Sequence, residues 1–523
     1  MRFFCAGLLV TVVGLMATPL RAVAQQNPRS SLPNIQVTSR LVFLDVTVVD
    51  KKGRPVVSGL TRSDFQITED RRPQKIFSFE APEAHALASA TNSDSQPPLN
   101  IFVLDLLNSD FSDFAYIRYE VRRFLESQPA DLRSPAELMV VSNESLELVQ
   151  PQTRDRDALL QALQHIPAVL PYKKMAASFW AERFGQSIDA LREIALENKG
   201  IPGRKNIIWI GHGGPGLYDT GFSFAVDEKV QQYVHDTTNL MVDSRVSLFV
   251  IYPGLKVRIR VPSLSAMEAQ VDLGDSDPFA GNINFGLFVN TTGGKLFYNR
   301  NDIDAEMRQS QRLGSHYYTL TYQPQGGVDN GRFRRIRVTL RNPDLRVITK
   351  IGYFAPEAHA RIDRWQQSFQ SLEEAAQSSL PFDALEISAV PTCRHPDSRT
   401  VELKVRLRSS DLHWQQDADG QSYATLVMLA ESLSKDRTVL ASRTFAHALV
   451  AAKTPEELTD KFVATRFTVS IPPKTKLVRI AALTRAGGRI GSVEVGRSSM
   501  DAATATPTPE PHLAPGRENP DRR

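Results

Sequence analysis

Two short runs in this sequence place polar groups at the ends of apolar stretches. The first, Leu104-Asp105-Leu106-Leu107-Asn108-Ser109, closes an apolar run and offers a carboxylate, an amide and a hydroxyl. Such hard oxygens are the ligands Mg²⁺ takes. The second, Gly211-His212-Gly213-Gly214-Pro215-Gly216, follows the apolar run 206–210 and offers an imidazole in a glycine-rich loop. Glycines there can turn backbone N–H groups toward an oxyanion, or simply let the loop turn tightly, and the second reading is preferred. In an open α/β sheet the loops after the strands converge on one crevice. Asp105, Asn108, Ser109, His212, Gly213 and Gly214 are therefore the candidate binding edge.

Other chemistry is sparse. The sequence has no phosphate-binding P-loop, no H-E-x-x-H pair and no EF-hand loop. Its two cysteines are Cys5 and Cys393, and Cys5 falls in an apolar N-terminal run. A single remaining thiol makes no internal disulfide and no cysteine-based zinc site. His316 reads as a packed or edge residue of a strand, and Trp180 and Trp209 read as core. Basic residues are spread along the chain without a nucleic-acid footprint.

The elements that must position the edge follow from periodicity. From residue 99 onward, apolar strand-like runs at 100–106, 138–141, 146–149, 206–211 and 246–252 alternate with helical patterns at 114–127, 154–166, 177–197, 224–242 and 301–313. That alternation predicts a mostly parallel sheet with helices on both faces. Short β-patterned blocks flank it, at 35–80 and 315–356. Each is too small to bury a core alone, so the two are expected to pair as one split, Ig-like β-sandwich with the α/β domain inserted between them. Residues 81–98 read as a linker, 357–383 as a helical connector, 384–497 as a second β-sandwich and 498–523 as a disordered tail.

The first 24 residues have the pattern of a secretory signal: Arg2, then an apolar run to Met16, then Ala22-Val23-Ala24 as a cleavage site. Loss of Arg2 and Arg21 with it would lower the formal charge from +4 to +2. A periplasmic or secreted protein is expected, with no membrane span after cleavage.

Several segments in order carry a resemblance. These are VTSRLVFLDVTVVDKKGRPVVSGLTRSDFQITEDRRPQKIFSFE near the start, TTGGKLFYNRNDIDAEMRQS at 291–310, HYYTLTYQP at 316–324 and FRRIRVTLRNPDLRVITKIGYFAP at 333–356. With the Asp105 loop, they resemble the von Willebrand factor A (vWA)-related proteins abundant in acidobacteria, over roughly 35–356. RAGGRIGSVEV at 485–495 is similar to the close of that family's C-terminal sandwich. The resemblance implies a Rossmann-like vWA domain on an exported protein, with a Mg²⁺ site of the form D-x-S-x-S, a threonine on a second loop and an aspartate after the fourth strand. Here Asp105 and Ser109 match, Leu107 stands where the first serine belongs and His212 where the carboxylate belongs. Imidazole is a poor Mg²⁺ ligand, so no cofactor is expected. If a metal bound, Asp105 and Ser109 would hold it, with Asn108, Asp110 and Asp113 as further oxygens.

The string His212-Gly213-Gly214-Pro215-Gly216 is also similar to the oxyanion loop of proline iminopeptidases. The nucleophile elbow that chemistry needs is missing, since Gly221-Phe222-Ser223-Phe224-Ala225 lacks its last glycine. The sequence therefore reads as a non-enzymatic recognition protein with an unknown protein partner and undetermined oligomeric state. A divalent-metal-dependent adhesion module and a serine hydrolase are the alternatives.

Overall fold

A computed structural model describes residues 41–86, 97–166, 177–214, 228–253, 277–279, 283–300, 302–325, 329–356, 360–395, 399–416, 421–451, 461–484 and 488–503. The signal segment, Pro215, Gly216, Ser223 and most of 253–285 lie outside these residues.

Four strands come first: β1 (Val42–Val49), β2 (Phe65–Glu69), β3 (Arg72–Gln74) and β4 (Ile76–Glu80), followed by a short helix α1 (Pro82–Ala86). The α/β segment then supplies β5 (Leu99–Asp105), α2 (Phe111–Glu126), β6 (Asp131–Val141), β7 (Leu146–Asp155), α3 (Arg156–His165), α4 (Ala177–Glu197), β8 (Lys205–Ile210), α5 (Glu228–Asp243), β9 (Val246–Pro253), α6 (Phe285–Thr292), β10 (Lys295–Arg300) and α7 (Ile303–Ser315).

These six strands form one sheet in the order β10-β9-β8-β5-β6-β7. Every neighbouring pair is parallel except β6 with β7. β5 lies at the centre and all seven of its residues are buried, as a strand covered on both faces requires. Alternate side chains face opposite layers. Ile101 and Val103 join a core with Ile188 and Leu191 of α4 and Met241 of α5. Phe102 and Leu104 join one with Ile117 and Phe124 of α2 and Met307 of α7. The sheet is thus a mixed, mostly parallel one with helices on both faces, in agreement with the alternation read from sequence.

Next come β11 (Tyr318–Tyr322), β12 (Phe333–Leu340), β13 (Arg346–Ile348) and β14 (Gly352–Phe354). They interleave with the opening strands as β13-β1-β11-β4 and β14-β12-β2-β3. Val46, Ile67, Leu320 and Ile336 share the core between these two sheets. The sheets are tied to the α/β segment by buried polar contacts. Arg245, at φ 57°, holds Asp45 through two nitrogens, at 3.2 and 2.5 Å. Arg204 donates to Thr47 Oγ1 at 3.1 Å and lies over the Tyr317 ring.

Helix α8 (Ala360–Gln377) leads into β15 (Ile387–His395), β16 (Thr400–Arg408), β17 (Gln415–Gln416), β18 (Ser422–Leu433), β19 (Val439–Ala451), β20 (Phe462–Ser470), β21 (Leu477–Thr484), β22 (Ile490–Gly496) and helix α9 (Arg497–Ala502). Two antiparallel sheets result, β15-β16-β20 and β17-β18-β21-β22 with β19 on β18. Their shared core holds Val401, Leu426, Met428 and Ile480. The other face of β18 and β21 packs, with α8, into the same core as α4.

Three readings from sequence are corrected here. The span 81–98 is not linker throughout: α1 forms in it, and His85 is buried and stacked on Tyr317 at 4.2 Å. The tail from 498 begins in α9, where Met500 is fully buried. His316 is not in a strand but follows α7 as its C-cap.

Candidate functional site

Asp105 ends the central strand, and its side chain is wholly buried. Its carboxylate is engaged on both oxygens. Oδ1 accepts from the Asn108 backbone N–H at 2.9 Å and from Asn108 Nδ2 at 3.1 Å. Oδ2 accepts from Asn108 Nδ2 at 3.1 Å, Trp209 Nε1 at 3.1 Å and the Gly213 N–H at 2.8 Å. Burial pushes this carboxyl above its ordinary range, against the pull of the Asn108, Trp209 and Gly213 donors.

The two candidate loops are therefore joined through one buried carboxylate. The join depends on glycine. Gly211 has φ 145°, and a Cβ there would sit 2.3 Å from the Cβ of Asp105. Gly213 has φ 62°, and a Cβ there would sit 2.5 Å from the Phe285 ring. Gly214 lies against Phe184 of α4 in the same manner.

Around this centre, Asn108 Nδ2 also donates to Ser187 Oγ of α4 at 3.0 Å. Asp110 caps α2 by accepting from the Asp113 N–H at 2.8 Å. His212 Nε2 stands 3.6 Å from Asp113 Oδ2, and its ring meets Tyr252 edge-on. Leu107, where an oxygen would be needed, is fully buried in the apolar core beneath. Ser109 is buried too, and its Oγ makes no hydrogen bond among the described residues.

All six sequence-chosen residues thus lie at one edge, and Asp105 directly contacts Asn108 and Gly213. Three others were not foreseen in their roles. Trp209 reads as core from sequence, yet its indole N–H also fixes Asp105. Ser187 carries no local signal, being 79 positions from Asn108. Asp113 enters through His212.

The resemblance implies Mg²⁺ at this edge, and the side chains present do not fit it. An ionised carboxylate has about four acceptor positions, and N–H donors already take those of Asp105. A cation there would face those hydrogens. Among the described residues no three His, Cys, Asp or Glu side chains are grouped to hold a metal. No described helix is long and apolar enough to cross a membrane.

No family model matches the sequence, and no curated protein matches it. Among solved structures, it is similar to the SpRpn10 VWA domain at 16% identity, over 36% of this chain and 100% of that one, with a TM-score of 0.17. IrmA from Escherichia coli aligns at 13% identity over 25% of this chain and 98% of that one, with a TM-score of 0.14. The human COPII-coat protein Sec24c aligns at 9% identity over 49% of this chain and 44% of that one, with a TM-score of 0.23. Likeness at this level decides nothing about function, which rests on the side chains at the edge.

Proposed function

We propose that this chain is an exported, vWA-like recognition protein. It binds a protein partner at the 105–113 and 211–214 edge without a divalent cation and without catalysing a reaction. The observation that carries the reading is the donor-saturated carboxylate of Asp105. In a metal-dependent edge that carboxylate would be left for the cation. Here protein N–H groups hold the two loops together, so the edge is organised before any ligand arrives, which lowers the cost of binding.

Two measurements test this. Titration calorimetry with Mg²⁺ and Mn²⁺ should show no saturable heat. Saturable binding that disappears in Asp105→Ala would replace this reading with a metal-dependent one. Crosslinking from the native cell envelope should capture a partner with the parent chain and lose it with His212→Ala. Equal capture by both would move the binding surface elsewhere.

A further inference from the structure

Resting on that recognition reading, we propose that the edge takes a cationic side chain, a lysine or arginine of the protein partner, received by Asp110 and Asp113. The segments 105–113 and 211–214 contain three aspartates and neither lysine nor arginine. Asp105 is consumed internally, which leaves the other two. Partial burial would push Asp110 up, but the Asp113 N–H and Ser112 outweigh it and hold its carboxyl below the ordinary range. It therefore presents a charge at an exposed position.

Deeper in, Asp113 is 2% exposed and Ser109 is 3% exposed. Asp113 Oδ2, Ser109 Oγ and Asn108 Oδ1 make no hydrogen bond among the described residues. His212 Nε2, 3.6 Å from Asp113, is too far to supply one. Two of these three atoms can only accept, and the hydroxyl can do so. Apart from His212 Nε2, itself without a hydrogen bond, these oxygens face no N–H donor among the described residues, so they call for donors and not for another oxygen. A partner carboxylate would meet acceptors and negative charge. A guanidinium or ammonium brings several N–H groups and the opposite charge. Burial and the like charge of Asp110 also push the Asp113 carboxyl up, and His212 offsets them only in part.

The outer wall has matching chemistry. Phe111 follows Asp110 and is 58% exposed, and Tyr119, two turns along α2, is 59% exposed. With exposed Ala115 between them, they form one aromatic stripe leading away from the edge. An aromatic face beside a carboxylate suits a cation with an apolar stem. Capping of α2 does not by itself call for a charge at 110, since asparagine caps as well as aspartate.

The test uses the full chain and two labelled peptides, arginines spaced by glycine and glutamates spaced by glycine, followed by fluorescence anisotropy at low salt. The arginine peptide should bind saturably and weaken with added salt. Asp110→Asn should weaken it about threefold, and Asp110→Asn with Asp113→Asn about tenfold or more. The glutamate peptide should not bind, with or without Mg²⁺. Equal affinity of the arginine peptide for parent and Asp110→Asn would overturn the proposal, as would glutamate-peptide binding that needs Mg²⁺. Should the double variant fail to fold, Asp110→Asn alone carries the test because it keeps the helix cap. The two readings fail separately. If His212→Ala abolishes partner capture while arginine-peptide binding ignores Asp110, the recognition surface stands and the cationic occupant falls.

Discussion

Asp105 does structural work that its position alone does not reveal. A carboxylate at the end of a central parallel strand is readable from the apolar run before it, and so are the side chains without oxygen at Leu107 and His212. Its saturation by donors is not readable, because Trp209 and Gly213 come from more than a hundred positions away. Asp105→Asn would replace one accepting oxygen with an NH₂ group facing N–H donors. It should cost about 1–3 kcal/mol, since a buried donor is left without a partner. Urea denaturation measures this, and the loss should be the same in millimolar Mg²⁺. A loss that Mg²⁺ selectively changes would show that the cation interacts with this carboxylate after all. Gly211→Ala should also destabilise, by at least about 1 kcal/mol, because an L-residue is strained at its φ of 145° before any clash with Asp105 is counted.

At the scale of elements, α2 joins the sheet to the edge, and its cap is the feature most easily tested. Asp110→Ala should lower stability by about 1 kcal/mol, while Asp110→Asn should stay within a few tenths. Thermal melts of the two variants check this, and equal losses would mean that charge and not capping sets the helix start. The strand-helix alternation was legible because the strands are apolar on both faces and the helices on one. Elements fixed by remote contacts were not. Helix α1 has no apolar period of its own and is held by His85 against Tyr317. Strand β3 depends on Asp70 and Arg71 adopting positive φ of 48° and 66°, which neither residue type announces. Helix α9 is anchored by the single buried side chain of Met500. The candidate edge was legible as a set of loops, because strand ends locate it. The partners Ser187 and Asp113 depend on how helices α4 and α2 lie over the sheet, which spacing in the sequence does not encode.

At the scale of the whole molecule, the junctions between layers hold buried ionisable groups. Asp45 and Arg245 join β1 to the start of β9. Burial alone would push Asp45 up, but Arg245 and Arg204 hold its carboxyl below the ordinary range. Asp45→Asn leaves Arg245 largely buried without its counter-ion and should cost about 3–5 kcal/mol, read as a lower urea midpoint. A second junction lies where β6 and the end of α4 meet the segment leading to β15. Glu137 is buried there, and its Oε2 has no hydrogen bond among the described residues. Burial and the charge of Asp383 push it to about 7. Glu197, which also faces Glu193 and Lys205, is pushed well up mainly by burial. Because the folded value of Glu137 exceeds its ordinary 4.5, its contribution is complete below about 4.5 and is lost as pH rises toward 7. Burial lowers Lys205 from 10.5 to about 7. Its effect runs the other way, with stability gained as pH rises from about 7 to about 10.5. The two together should put a minimum in stability near neutral pH. Glu137→Gln keeps the shape and removes the charge. It should match the parent at pH 4 and exceed it at pH 8 by about 3 kcal/mol at most, because a tenfold change in proton affinity is worth about 1.4 kcal/mol. Urea denaturation at pH 4, 6 and 8 decides the matter: a difference between parent and variant that does not change with pH would mean that Glu137 ionises in the folded protein as it does in the unfolded chain and that the junction tolerates its charge.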